Sequence, residues 1–467
     1  MIPLSSNKQA GSIYQGKSLT AVVLALAWPT IVEQVFQTVV QYVDSAMVGR
    51  IGANASAAVG VTSTAMWLMN SFSFAVGVGF LACVSRAAGA REIEKARTIS
   101  AQAVLVSFVI GTLSGGTGIL ISGGLPRWLG AAPEICPDAS IYFAILCGAL
   151  IFRCPVIVFG SVLRAAGDMR TPMYVNVVTN LVNVVFNFLL IYPSRYVTLF
   201  GRFTFLMPGA GWGVAGAAWG TAIAFVVGIV FMAVAVCRNT SVSPVGYPLK
   251  PNVEILSRVG RICFPNVMQR LVVCLGQVAF TALITSLGTI SLAAHSIAIT
   301  AEQAFYMPGS GFQAAATTLS GQALGAGDKQ KIKQIIQASG RIAVITLACT
   351  GFLLFLFPSY IMAIFTPDPE VIQKGAEVLR LVSVSEPFFG LTMVLEGAFN
   401  GVGDTKPSFY IALVTMWCLR ILPTWICVHY LHLGLIAVWG CMVADVIARS
   451  LLLLARYLKG TWLKKLV

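Results

Sequence analysis

Charge is what this chain has least of. Only 10% of its 467 residues are Asp, Glu, Lys or Arg, against about a quarter in a soluble globular protein, while 57% are hydrophobic. Water is therefore excluded as the main solvent, and no soluble domain can be cut from apolar runs that recur from Leu19 to Leu454. Histidine is down to 3 residues, and the 11 cysteines stand singly, with no CxxC pair and no metal-ligand spacing. They read as small buried hydrophobes. P-loop and HExxH motifs are missing, and GVGF at Gly77 is no dinucleotide fingerprint because no strand precedes it. No cofactor and no enzyme activity are expected, and any uphill work must draw on an ion gradient or a separate subunit.

What the chain does have is length in apolar runs. A helix needs roughly 20 apolar residues to cross about 30 Å of hydrocarbon. Spans are predicted near 19–46, 57–82, 98–122, 138–162, 172–193 and 212–236, then near 262–286, 292–318, 342–359, 376–399, 408–429 and 434–456. The fold class is all-α: a polytopic membrane protein of twelve helices. The formal charge of +14 comes from basic clusters between the runs, such as Arg86, Arg91, Lys95 and Arg97, or Lys329, Lys331 and Lys333. With the N-terminus inside, 21 of the 31 Lys and Arg fall in cytoplasmic segments. That is the positive-inside pattern; it argues against nucleic-acid binding and puts both termini in the cytoplasm, with the plasma membrane as location. Met1–Lys17 lacks the layout of a cleavable signal peptide, so the first span is expected to serve as signal and span together.

The two halves are one design used twice. Pro29, Gly52 and Ala57 match Pro265, Gly288 and Ala293 at a single constant offset in the numbering. At the same offset Gly89-Ala90 matches Gly325-Ala326, Glu92 and Lys95 match Asp328 and Lys331, and Gly167-Asp168 matches Gly403-Asp404. The offset then shortens, with Trp219-Gly220 matching Trp439-Gly440, which assigns about 16 extra residues in the first half to a loop beginning at Ser194. Six spans per half is an even number, so the halves share one orientation and form two pseudosymmetric six-helix lobes. Residues 1–237 make the N-terminal lobe and 252–467 the C-terminal lobe, joined by a cytoplasmic linker over 238–251 that contains Pro244, Pro248 and Pro251. Such a body suits alternating access, and it is expected to work as a monomer in the lipid bilayer.

An ionisable group at bilayer depth costs about 2.5–3.5 kcal/mol on insertion scales, so it faces protein or water for a purpose. The first span carries Glu33, Gln37, Gln41 and Asp44, whose spacings put all four on one helical face. Carboxylates held out of water take up protons more readily, and with amide and hydroxyl oxygens around them they hold Na⁺. The fifth span offers Asn176, Asn180, Asn183 and Asn187 on one face, and the sixth offers Thr221. One reading is a cation site between these spans; the other is interhelical hydrogen bonding, since amides glue membrane helices together. Asp44 corresponds to Phe280 in the second half, where the intramembrane charges are Arg270, Glu302, Arg380, Glu386, Glu396, Arg420, Asp445 and Arg449. Their mixed signs point to ion pairs holding that lobe together, with a direct role in transport for Glu302, Glu386 or Glu396 as the alternative. His295 reads as a packing residue. Phe36, Tyr42, Trp67, Met69, Tyr306 and Met307 would suit an apolar or cationic ligand.

These segments resemble the multidrug and toxic compound extrusion (MATE) family. The resemblance rests on AWPTIVEQVFQTVVQYVDSAMVGRIG in the first span, SRAAGAREIEKAR after the second, VLRAAGDMRTP after the fourth and NLVNVVFNFLLIYP in the fifth. SLAAHSIAI in the eighth and LEGAFNGVGDTKP after the tenth extend it through both halves. It implies two lobes around a cleft and H⁺- or Na⁺-coupled antiport of small cationic or amphipathic organic compounds. It also implies Asp44 as the coupling residue, with Asn183, Asn187 and Thr221 completing the cation site and no other metal bound. Gln37 takes a cavity position in this resemblance, and Glu33, Gln41 and Asn180 are placed with it. Some relatives carry a second aspartate where this chain has Asn187, and others have acids where it has Val273 and Phe389; those arrangements are not expected here. A flippase for lipid-linked precursors, of the same superfamily, would call for a strongly cationic cavity. A membrane enzyme or scaffold would need a paired catalytic constellation, of which His295 offers one part.

Overall fold

A computed structural model describes residues 18–199 and 203–464 of the chain; the N-terminal segment read above for a signal lies outside them. Ser18 opens the first helix by accepting the Ala21 amide on its hydroxyl at 3.3 Å. From there run α1 (Leu19–Gly49), α2 (Ala53–Gly89), α3 (Ile93–Ser122), α4 (Leu125–Trp128), α5 (Cys136–Gly148), α6 (Leu150–Ala165) and α7 (Arg170–Ile191). Two strands, β1 (Pro193–Leu199) and β2 (Phe203–Ala210), precede α8 (Gly213–Arg238). The second half holds α9 (Val253–Thr285), α10 (Thr289–Gly325), α11 (Lys329–Leu356), α12 (Pro358–Ala363), α13 (Pro369–Ser383) and α14 (Glu386–Val402). It ends with α15 (Lys406–Val414), a π-helical stretch (Thr415–Ile421), α16 (Leu422–His429), α17 (Leu435–Lys459) and α18 (Thr461–Lys464).

Among the described residues, nine helices are long and apolar enough to cross a bilayer, and the bent pairs α5–α6 and α13–α14 bring the number to 11. The twelfth span is α10. It has 37 residues, but polar side chains such as His295, Thr317, Thr318 and Gln322 lower its apolar content. It tolerates them because it runs through the centre, packed by α1, α2, α11 and α14, so its polar groups meet protein rather than lipid.

The repeat is visible in the breaks as well as in the spans. α5 and α6 are bent by 46° across Ala149, and α13 and α14 by 54° across Val384 and Ser385. Ala149 and Ser385 are related by the same offset that relates Pro29 to Pro265. The fourth and tenth spans, predicted as single helices, are therefore each two. Proline lacks an N–H and clashes with the carbonyl four residues back, which for Pro387 is that of Ser383, the last residue of α13; Pro155 lies inside α6, past the break at Ala149. The turns into α2 and α10 also correspond: Gly52 has φ +151° and Gly288 φ +96°, backbone that side-chain-bearing residues rarely adopt. One expectation changes. The extra length in the first half, read as a loop, is an antiparallel hairpin in which Pro193 pairs with Ala210 and Leu199 with Phe203.

Each half also lends the other the end of a helix. Val22, Val23, Leu26 and Ala27 of α1 lie in the core formed by Phe312, Leu319, Val394 and Phe399 of the second half. Reciprocally, Val259 and Ile262 of α9 lie in the first half's core beside Phe80, Val158 and Phe159. Val23 and Val259 are repeat counterparts, so this exchange follows the duplication. It occurs at the end of the bundle where the basic segments lie, and there the halves are locked together. Gln322 donates to the Ala165 carbonyl at 2.9 Å and Thr318 to the Arg164 carbonyl at 3.3 Å.

Candidate functional site

Local sequence sets the helix that carries the amides. Gly167 turns the chain with φ +90°; the Asp168 carboxylate then accepts the Thr171 amide at 3.0 Å and its hydroxyl at 2.6 Å, opening α7. α8 then packs against α7 very closely. A β-carbon on Gly216 would fall 2.4 Å from the Leu190 carbonyl oxygen, and one on Gly220 would fall 2.1 Å from Asn187 Oδ1. Small residues that let membrane helices touch are a common device, and here they bring Thr221 beside Asn183.

Asp44 lies where α1 meets this pair. Asn187 donates to its Oδ1 at 2.8 Å, and Asn183 is 2.9 Å from Thr221 Oγ1, which donates to the Ala217 carbonyl at 3.0 Å. Turning the Asn183 amide over places its nitrogen 3.0 Å from both Asp44 oxygens while its oxygen faces Thr221 Oγ1 at 2.9 Å. With its nitrogen towards Asp44, the Asn183 amide supplies the donors that an ionised carboxylate wants. Asn187 is 1% exposed, and its Oδ1 accepts from nothing among the described residues. The site thus offers carboxylate, amide and hydroxyl oxygens, the hard donors that suit a proton or an alkali cation. No cationic side chain pairs with Asp44 among the described residues.

Glu33 is held differently. Arg164 Nη2 lies 2.9 Å from both of its oxygens, and Asn176 donates to Oε1 at 2.7 Å. Eleven residues separate Glu33 from Asp44, about 16 Å along a helix, so the asparagine face divides: Asn176 serves the ion pair, Asn183 and Asn187 serve Asp44. Glu33, placed with the substrate cavity from sequence, is committed to Arg164. Asn180 lies half-buried between the two sets, whereas Gln37 and Gln41 are exposed. Of the apolar cavity candidates, Tyr42 and Trp67 are exposed, but Met69 packs against the cluster of Phe143 and Cys147. Sequence reasoning missed Tyr142 of α5, which packs against the cluster of Met47, Ile191 and Val214 one turn beyond Asp44; a tyrosine in an apolar run carries no signal of that.

In the second half Phe280, the counterpart of Asp44, is fully buried. The Arg420 guanidinium lies 5.7 Å from its ring centre, and His295 stands edge-on between Phe280 and Trp439 at 5.6 and 5.7 Å. His295 therefore packs, as its small-residue surroundings indicated. Asp445 binds Arg420 at 2.8 Å and Arg449 at 3.1 Å. Glu396 accepts from Gln269 at 3.0 Å, and Tyr306 meets Phe389 edge to face at 5.0 Å.

Two six-span halves locked at one end, with a carboxylate among amides in one of them, define a membrane transporter of the alternating-access class. The MatE family model matches residues 29–189 and 265–426, one copy in each half, and the chain belongs to that family. It is 28% identical over 445 residues to a probable multidrug resistance protein NorM of Thermotoga maritima, covering 95% of this chain and 93% of that one. It is 23% identical to the probable multidrug resistance protein YoeA of Bacillus subtilis, over 99% and 97% of the two chains. In fold it is similar to a MATE crystallised in complex with MaD3S, with a TM-score of 0.88 at 23% identity over 99% of this chain and 100% of that one. It is likewise similar to an outward-facing multidrug resistance MATE transporter of the MOP superfamily, with a TM-score of 0.86 at 22% identity over the same shares.

Proposed function

We propose that this protein is an H⁺- or Na⁺-coupled antiporter that exports small cationic or amphipathic organic compounds from the cytoplasm. The observation that carries the reading is the contrast between its two acids on α1. Glu33 has an arginine, while Asp44 has only neutral partners among the described residues. A carboxylate at this depth with no fixed counter-ion is completed by a mobile one, and the multidrug resistance relatives supply the substrate class.

In this reading Asp44, Asn183, Asn187 and Thr221 bind the coupling cation. Gln37, Gln41 and Asn180, with Tyr42 and Trp67, line the substrate path. Residues 1–237 and 252–467 rock about the cleft as a monomer, with the basic end and both termini in the cytoplasm of a cell bounded by the plasma membrane. Cation binding at Asp44 favours one arrangement of the halves and substrate the other, each by its differential affinity. The test is efflux of a panel of cationic dyes from proteoliposomes under separately imposed pH and Na⁺ gradients. Dye movement that ignores both gradients refutes ion coupling.

A further inference from the structure

Asp44 is not alone in lacking a counter-ion: its own half also holds a base without an acid. Arg153 of α6 is half-buried. Its Nε is fully buried with no hydrogen-bond acceptor, and no carboxylate acts on it, among the described residues. The guanidinium lies instead over the ring of Phe225 of α8, 4.7 Å from its centre. Phe225 is one helical turn beyond Thr221, the hydroxyl at the Asp44 site. Spacing fixes the level. Arg164 and Arg153 are as far apart on α6 as Glu33 and Asp44 are on α1. The Glu33–Arg164 pair ties the two helices at one point, and from there both lead away from the basic end. Asp44 and Arg153 thus each stand about 16 Å further out.

Packing does not require a charge at this place. In the second half the repeat counterpart of Arg153 is Phe389, and that of Asn70 on α2 is Tyr306; there two rings fill the space, edge to face at 5.0 Å. The first half puts a guanidinium and an amide in the same positions. Met66 and Gly77, before and after Asn70, meet Cys147 and Ser161, before and after Arg153, so Asn70 and Arg153 lie at one level. Asn70 Oδ1 is buried and accepts from nothing among the described residues. A guanidinium at bilayer depth is costly, and a contact with one ring recovers only part of that cost. Its planar fork of N–H donors matches a carboxylate with two parallel hydrogen bonds.

We propose that Arg153 is the anion-binding point of the substrate cavity, and that the exported compound carries a carboxylate which pairs with it. The apolar body of that compound lies against Phe225, and Asn70 Oδ1 accepts an N–H or O–H from it. This rests on the antiport reading and narrows it, from amphipathic compounds at large to amphipathic organic acids, including those that also bear an amine. The coupling cation at Asp44 and the substrate's anion at Arg153 are then held in one half at one level.

The experiment measures binding of a panel of fluorescent aromatic carboxylates, each beside its own methyl ester, to the full chain in lipid nanodiscs. Wild type is expected to bind at least one acid about tenfold or more tighter than its ester, the scale of a charge-assisted hydrogen bond. Arg153→Gln should lose that preference while its affinity for the ester stays as in wild type, and Arg153→Lys should keep part of it. Should Arg153→Gln fail to fold, Arg153→Phe serves instead, since the second half accepts phenylalanine at this position. Repeating the series at low and at physiological chloride separates a substrate carboxylate, whose preference persists, from an inorganic anion, which would erase it. The proposal is overturned if wild type favours no acid over its ester, if the preference survives loss of the guanidinium, or if chloride abolishes it. Efflux that ignores both ion gradients refutes the antiport reading instead and leaves the binding result as it is.

Discussion

Gly89 and Gln322 touch backbone to backbone. A β-carbon on Gly89 would fall 1.9 Å from the Gln322 carbonyl oxygen, and one on Gly325 would fall 1.9 Å from the Arg86 carbonyl oxygen. Gly325 is the repeat counterpart of Gly89, and Gln322 is that of Arg86. The α2–α10 crossing is thus one contact made twice around the pseudo-two-fold axis, and it closes the basic end of the transporter. Opening that end requires this crossing to part.

Gly89→Ala is therefore expected to destabilise the closed arrangement by about 1–3 kcal/mol, the usual scale of overpacking, and Gly325→Ala to do the same. Cys263, half-buried against Gly79 about three turns away along α2, reports the change. In a variant keeping Cys263 as its only cysteine, labelling by a membrane-impermeant maleimide from the basic side should rise about fivefold or more. Unchanged labelling in both alanine variants would show that the crossing relaxes locally instead of opening.

Asp44→Asn preserves shape and removes the charge. Coupled efflux should fall to background while expression and thermal stability stay near wild type, because the partners of Asp44 are neutral amides. Proteoliposome efflux beside a detergent melting curve checks both halves of that statement.

Asn187→Ala tells the coupling ions apart. Removing a charge-assisted hydrogen bond worth about 1.5–3 kcal/mol takes a donor from the ionised carboxylate. For a proton-driven pump this leaves the protonated form favoured, so the efflux profile moves to higher pH. For a sodium-driven pump, the Na⁺ concentration for half-maximal efflux should rise about tenfold or more. Activity profiles identical to wild type in both titrations would remove Asn187 from the site.

Glu33→Gln leaves the partly buried Arg164 without its carboxylate, a change expected to cost less than breaking a fully buried pair, which costs about 3–5 kcal/mol. A lower melting temperature with an unchanged ion requirement is expected, and replacing Arg164 by Gln as well should recover part of the loss. A changed ion requirement in Glu33→Gln would instead put Glu33 in the coupling machinery.

Much of this was legible in one dimension. The repeat, the number of spans and the polar stripe from Glu33 to Asp44 follow from apolar run length and helical spacing, because in a bilayer each span must satisfy its own backbone. The His295 packing role and the mixed-sign interior of the second half were likewise readable from residue type. The hairpin at Pro193–Ala210 was not, since its alternation spans too few residues to be told from a loop. Nor were the breaks in the fourth and tenth spans, where proline placement permits a bend without requiring one. α10 shows the opposite hazard: its polar content obscures a span that is buried by its neighbours.

By itself, then, the sequence determined that this is a doubled helical membrane transporter with an acid on its first span, since solvent and periodicity act on each helix alone. Asn183, Asn187 and Thr221 were put with Asp44 by the family resemblance; only the tertiary structure decided that Arg164 and Asn176 belong to Glu33. It also decided that α1 and α9 reach into the opposite halves. Those pairings depend on the depth, rotation and crossing of neighbouring helices, which are set by packing between distant segments and leave no mark in the spacing of any single one.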